Sequence, residues 1–256
     1  MSKKLILLDA YALIYRAHFA FIKNPRINSK GLNTSAIFGF CNSLLEVTNK
    51  FDPSHIGVVF DPPGGSDREG VFADYKANRQ EMPEDIRKAI PHIFDLLKAM
   101  NIKVEMEEGF EADDVIGTLA KQAEKKGFET YMMTPDKDFG QLVSDHIFIY
   151  KPGRSGNPSE ILGPKEVCEK FEVKDPLQVI DILGLWGDAV DNIPGVPGVG
   201  EKTAKKLIST YGSIENLIKN THDLKGKLKE NVENFAEQAI LSCLLYTSPS
   251  PRDTMS

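Results

Sequence analysis

Apolar residues run unbroken through KLILLD (residues 4–9) and again through HIGVVFD (55–61), and each run ends in an acid. Runs of this length suit strands covered on both faces, as in a parallel sheet. ETYMMTPDKD (129–138) is β-prone until Pro135 turns it, with two further acids in the turn, and IFIY (147–150) predicts a fourth strand. Between these runs, helical spacing predicts helices over residues 34–49, 84–100 and 112–126, the last closed by Gly127. Strand and helix alternate, so the chain is expected to begin with an α/β domain whose mainly parallel central sheet is flanked by helices. Ligands of such sheets gather outside the carboxyl ends of the strands. Asp9, Asp61, Asp136 and Asp138 fall at or just beyond such ends.

Past about Val173 the pattern changes to short helices broken by glycine and proline, with no good strand. This predicts an α/β unit over residues 1–174 and a small helical unit over 175–242. The Gly- and Pro-rich loop 62–70 leads into FADYKANRQ (72–80), a polar segment expected to form a mobile helix. The helical pattern ends near Ser242. CLLYTSPSPRD (243–253) then back-translates to the end sequence and adapter of a widely used transposon library method. Residues 243–256 are therefore expected to be a non-native, adapter-derived tail joined to a truncated gene.

Composition adds limits. The chain has 256 residues, 41% of them hydrophobic, enough to fill a core. The longest apolar runs fall far short of the ~20 residues a membrane span needs. The amino terminus lacks a long apolar stretch and a cleavage site, so no signal peptide and a cytoplasmic location are expected. Cys41, Cys168 and Cys243 are scattered, without a CxxC pair for zinc or redox chemistry. A net charge of −6 argues against nucleic acid unless the charges are segregated.

The acids are segregated. FEADDVIGTLA (110–120) sets Glu111, Asp113 and Asp114 at the head of a predicted helix. First-turn acids are favoured there by the helix dipole, which is the bland reading. On a helical wheel, however, Ala112, Val115, Ile116, Leu119 and Ala123 define the apolar side, which leaves Asp114 roughly opposite and all three acids free to point toward one rim. Carboxylates gathered there from several strand ends would repel unless cations sat among them, and all-oxygen ligands select Mg²⁺ or Mn²⁺. The chemistry this suggests is two-metal phosphoryl transfer. PDKDFGQL (135–142) is not a calcium loop, because Gly140 and Ile147 stand at two of its ligand positions.

WGDAVDNIPGVPGVGEKTAKKLI (186–208) contains a tight turn, GVPGVG, feeding a helix that starts near Glu201. Backbone amides in such a turn suit a DNA phosphate, often with K⁺ held by loop carbonyls, although a glycine-rich turn can also be only a turn. Residues 194–230 hold seven lysines (202, 205, 206, 219, 225, 227, 229) against four acids, a basic surface in an acidic chain. Asp188 and Asp191 just before the turn can join the carboxylates. Lys76 and Arg79, three apart in a predicted helix, would share a face, and Arg68 upstream is grouped with the candidate DNA-contacting residues. Their bland reading is a solvated surface helix. Tyr75 is placed to stack on a base.

These motifs, in this order, resemble the 5′-nuclease family found at the amino end of bacterial DNA polymerase I, which comprises flap endonucleases and 5′→3′ exonucleases. The resemblance runs through LLDAYALIYRAHFA, FDPPG, DYKANR, GFEADDVIGTLA, TPDKDFGQL and GDAVDNIPGVPGVGEKTA. It implies a PIN-like nuclease fold followed by a helix-hairpin-helix domain, and two Mg²⁺ or Mn²⁺ ions held directly or through water by Asp9, Asp61, Glu111, Asp113, Asp114, Asp136, Asp138, Asp188 and Asp191. It places Lys76 and Arg79 in an arch over the site (about residues 62–90), on the scissile phosphate, with Tyr75 beside them. The hairpin, through Gly195, Val196, Gly198, Val199, Gly200, Lys202, Thr203, Lys205 and Lys206, would hold downstream duplex without reading sequence. The implied activity is hydrolysis at 5′ flaps and nicks in replication and repair, by a monomer attached to a polymerase domain in its parent. Asp67 and Glu69 depart from the family pattern around Arg68, which leaves that arginine's part open. A non-catalytic duplex-binding module and a PIN-type ribonuclease are the rival expectations.

Overall fold

The computed structural model describes residues 3–153 and 157–247. The α/β unit comprises β1 (Lys3–Asp9), α1 (Ala10–Ala20), α2 (Ser35–Phe51), β2 (His55–Val59), α3 (Arg68–Val71), α4 (Glu84–Ala99), β3 (Lys103–Glu105), α5 (Ala112–Lys125), β4 (Phe128–Met133), β5 (Ile147–Lys151), β6 (Glu160–Leu162) and α6 (Pro164–Phe171). The sheet order is β3-β2-β1-β4-β5-β6, parallel throughout except for β6. β1 sits at the centre, with Leu7 opposite Gly57 on β2 and Met132 on β4.

The unbroken apolar runs are explained by burial on both faces. Ile6 and Leu8 pack with Leu13, Ile14, Phe40, Leu44, Ile86 and Ile93 from α1, α2 and α4. Leu7 turns to the other face, against Val115, Ile116 and the apolar sides of the C-terminal helices. The strand order reverses at β1, whose successor β2 lies on one side while β4 lies on the other. That reversal opens the sheet's carboxyl end next to Asp9.

The helical part contains α7 (Val179–Trp186), α8 (Glu201–Tyr211), α9 (Ile214–Lys219), α10 (Gly226–Asn234) and α11 (Ala236–Tyr246). Its apolar side chains, among them Ile182, Leu183, Leu207 and Leu217, join the core on the α5 side of the sheet. α11 runs to Tyr246, past the boundary expected near Ser242, and buries Leu245 and Tyr246. Residues 248–256 of the expected adapter tail lie outside the described residues.

Two expectations change. Residues 73–78 form a run of turns instead of a helix, with Lys76 at φ 57, so Lys76 and Arg79 do not share a helix face. The elements of the α/β unit without a predicted counterpart are α1, α3, β3, β6 and α6, and α3 forms inside the stretch expected to be a loop. Among the described residues no helix is long and apolar enough to cross a membrane.

Candidate metal and DNA site

The carboxyl ends of β1, β2 and β4 and the start of α5 surround a cavity of about 1060 Å³, lined among others by Asp9, Asp61, Glu111, Asp113, Asp136, Asp138 and Asp191, with Tyr75, Lys76 and Arg79. Local geometry fixes each acid. Asp9 caps α1, accepting from the Ala12 amide at 3.2 Å and from the Thr134 hydroxyl at 3.0 Å. Asp61 accepts from the Ala112 amide at 2.8 Å, which ties the end of β2 to the first turn of α5. Asp136 accepts from the Asp138 amide at 3.0 Å.

Crowding shows in the electrostatics. Burial, and then the Asp61 charge, push the Asp9 carboxyl up to about 7. Burial raises Asp113 to about 6 against the pull of Arg68. Burial and Asp136 hold Asp138 well above the usual carboxylate range, and its Oδ1 is buried without a hydrogen-bond partner.

The other acids of the expected set carry cations. Glu111 accepts from Lys76 at 2.6 Å, Ser66 at 2.8 Å and Tyr75 at 3.1 Å, with the Arg68 guanidinium 3.1 Å away. Burial works against its charge, yet Lys76 and Arg68 bring its pKa below the ordinary value. Asp191 pairs with Arg79 at 2.8 Å and Asp188 with Lys137 at 2.8 Å. Asp188 is outside the cavity lining.

Asp114 corrects the helical-wheel expectation most clearly. It is 2% exposed and accepts from Arg68 at 2.8 and 3.0 Å and from the Glu111 amide at 3.0 Å, closing a capping box at the start of α5. The wheel placed it opposite the apolar side, but the Arg68 side chain covers it there. Arg68, grouped with the DNA-contacting residues, is itself buried. Burial opposes its charge, while Asp113, Asp114 and Glu111 more than offset that and raise its pKa. Tyr75, expected to stack on a base, is 6% exposed with its hydroxyl on Glu111.

Around the hairpin, Val196 and Val199 point into the core, so only backbone there can face a ligand. The Val196 amide donates to Leu185, Val199 to Val196 and Gly195 to the Ser242 hydroxyl. The Gly198 and Gly200 amides make no bond among the described residues. The carbonyls of Gly195, Val196 and Pro197 accept from Gln238, Val199 and Asn231, each keeping a second lone pair. Lys202 and Lys206 are exposed and Thr203 half-buried, whereas Lys205 is committed to Glu201 at 2.8 Å.

Sequence reasoning missed Ser66, Thr134 and Lys137. Lys137 lies inside PDKD, and a lysine between two acids was a usable signal. Its ammonium sits 4.5 Å from the Trp186 ring centre. Nothing local marks Thr134, which becomes an Asp9 partner only through the pairing of β1 with β4.

Among the described residues no three acids already converge on one point as a closed ligand shell; they ring a cavity. The donor set still fits a hard divalent cation. Asp9, Asp61, Asp136 and Asp138 form no ion pair among the described residues, Asp113 has only Arg68 at 3.5 Å, and Asp138 keeps its unbonded buried oxygen.

Two family models cover nearly the whole chain: the 5′-3′ exonuclease N-terminal resolvase-like domain over residues 4–172, and the 5′-3′ exonuclease C-terminal SAM fold over 174–248. DNA polymerase I of Bacillus subtilis is 43% identical over 247 residues, 96% of this chain but 28% of the polymerase, so the chain spans little more than a quarter of that relative. A 5′-3′ exonuclease of Aquifex aeolicus is 38% identical over 96% of this chain and 82% of its own length. The fold matches the bacteriophage T5 flap endonuclease, solved with DNA and metal ions, at a TM-score of 0.74 and 20% identity, covering 95% of this chain and 89% of that one. On the strength of both family models and of relatives well above 30% identity, the chain belongs to the 5′-3′ exonuclease family.

Proposed function

We propose that the chain is a divalent-metal-dependent, structure-specific nuclease that hydrolyses DNA phosphodiesters at 5′ flaps and nicks. One observation carries the reading: five carboxylates from four chain segments face a single cavity with almost no cationic compensation. Asp9, Asp61, Asp113, Asp136 and Asp138 would hold the metal, Mg²⁺ or Mn²⁺, with room for two ions. Asp191 becomes available if Arg79 turns to a phosphate. Bound there, the metal would supply Lewis acidity toward the phosphate and an acidified water.

The chain's own residues do the rest. Lys76 and Arg79 line the same cavity and place positive charge where it can meet the phosphate, so a phosphate entering the cavity competes with Glu111 and Asp191 for them. Glu111 and Asp114 act as supports, fixing the first turn of α5 so that Asp113 faces the cavity. The free amides of Gly198 and Gly200, with Lys202 and Lys206, would hold duplex backbone without reading bases. By its likeness to one part of a polymerase, the chain is proposed to act beside one, clearing 5′ ends during replication and repair.

The test incubates the chain with labelled 5′-flap DNA, blunt duplex and single-stranded RNA, in Mg²⁺ or chelator. Flap cleavage that needs metal and leaves RNA intact is expected. Salt-dependent duplex binding with no cleavage would identify a binding module instead, and RNA cleavage a ribonuclease.

A further inference from the structure

The loop that enters the hairpin also grips the turn that carries Lys76. Asp188 and Ile193 exchange two backbone bonds of 2.8 Å each, which closes residues 188–193 into a small loop directly ahead of Pro194 and Gly195. From this loop the Asp191 carbonyl accepts from the Lys76 amide at 2.9 Å. The Asn192 side chain reaches the same turn twice: its Nδ2 donates to the Asp74 carbonyl at 2.7 Å, and its Oδ1 accepts from the Asn78 side chain at 3.0 Å. A carbonyl can only accept, so the amide nitrogen must be the end that faces Asp74. Asn192 also has a φ of 56°, in the left-handed region that asparagine tolerates better than most residues with a side chain. Glycine would take that φ without reaching the turn, and aspartate would reach it without a donor for the Asp74 carbonyl.

We propose that Asn192 is a positioning residue that clasps the 74–78 turn to the root of the hairpin and so aims Lys76 and Arg79 at the phosphate in the cavity. The inference rests on the reading of the chain as a DNA nuclease. Lys76 lies between the two clasped residues and Arg79 directly follows the second, and both cations line the cavity. A phosphate that draws the ammonium off Glu111 and the guanidinium off Asp191 moves the two side chains, while the turn that bears them has to stay in place. The bonds to Asn192 involve neither cation, so they survive that exchange. A misplacement of about 1 Å at a reacting group costs on the order of 100-fold in rate, which is what the clasp prevents.

The tests use the whole chain. Asn192→Gly keeps the backbone conformation and removes both side-chain bonds, whereas Asn192→Asp sets an oxygen against the Asp74 carbonyl. For both, single-turnover cleavage of a 5′-flap duplex at saturating enzyme in Mg²⁺ should fall about 10- to 100-fold, while affinity for the same duplex in chelator stays within about threefold. In a Lys76→Ala/Arg79→Ala background, adding Asn192→Gly should cost less than about twofold further, because the groups it positions are gone. In the metal-free chain without DNA, tryptic cleavage after Lys76 and Arg79 should be about fivefold or more faster for Asn192→Gly, with cleavage elsewhere unchanged. A loss of rate that is as large in the Lys76→Ala/Arg79→Ala background marks general damage to the fold and overturns the inference, as does unchanged proteolysis at Lys76 and Arg79. If the unaltered chain cuts the flap and the Asn192 variants cut it just as fast, this inference alone fails. If the unaltered chain cuts no flap, the nuclease reading fails and takes the positioning role with it.

Discussion

Replacing Arg68 by alanine should damage the fold far more than any DNA contact. The side chain is 8% exposed and lies 2.8 Å from Asp114, 3.1 Å from Glu111 and 3.5 Å from Asp113. Glu111 would keep Lys76, Ser66 and Tyr75. Asp114 would keep only the Glu111 amide, as a buried carboxylate without a counter-charge. Removing one partner of a buried pair costs about 3–5 kcal/mol, which for a chain of this size lowers the thermal midpoint by roughly 6–20 °C. Circular dichroism melts in chelator measure this. Adding Asp114→Asn to Arg68→Ala should recover at least half of the loss, because the amide no longer demands a cation. Duplex affinity measured well below the melt should stay within about threefold of wild type. An Arg68→Ala variant within about 1 kcal/mol of wild type, or a double variant as unstable as the summed singles, would refute the strut reading.

Other positions give independent checks. Asp9 has a folded pKa of about 7 against an ordinary 3.8, so in chelator it contributes stability that is fully present below pH 3.8 and lost as pH rises through 7. The loss is up to on the order of 4 kcal/mol; urea unfolding across pH 4–8 should show it, Asp9→Asn should flatten the slope, and Mg²⁺ should restore stability at pH 8. Gly195 has φ 58, and a Cβ there would stand 2.6 Å from the Gly187 nitrogen and 2.8 Å from the Leu185 oxygen, so Gly195→Ala should cost about 3 kcal/mol in urea unfolding. Gly200→Ala, with nothing within 4 Å of its Cβ, should stay within about 0.5 kcal/mol. Tyr75→Phe removes the bond to Glu111 and should cost about 1 kcal/mol of stability with flap affinity unchanged; weaker flap binding without loss of stability would favour base stacking.

Much of this architecture is legible in the sequence because parallel strands are buried on both faces and so read as unbroken apolar runs. The acids that end those runs are visible for the same reason, since a charge cannot continue into a doubly covered strand. β3 and β6, three residues each, are too short to show any period. The fate of Asp114 was hidden because its partner Arg68 is 46 residues away, and a helical wheel knows only its own helix. The conformation around Tyr75 and Lys76 was hidden for a related reason: the turns at 73–78 are held from outside, through the Lys76 amide on the Asp191 carbonyl and the Asn192 side-chain amide on the Asp74 carbonyl. The unpaired state of Asp9, Asp61, Asp136 and Asp138 is likewise a property of the assembled cavity.

The central claim is that the unpaired carboxylates hold the metal that cleaves DNA, and Asp138→Asn tests it most directly, because among the described residues this acid carries the one carboxylate oxygen that is buried without a partner. Single-turnover cleavage of a 5′-flap duplex in Mg²⁺ should fall about 100-fold or more, while affinity for the same duplex in chelator stays within about threefold. An Asp138→Asn chain that cuts the flap at the wild-type rate would contradict the account.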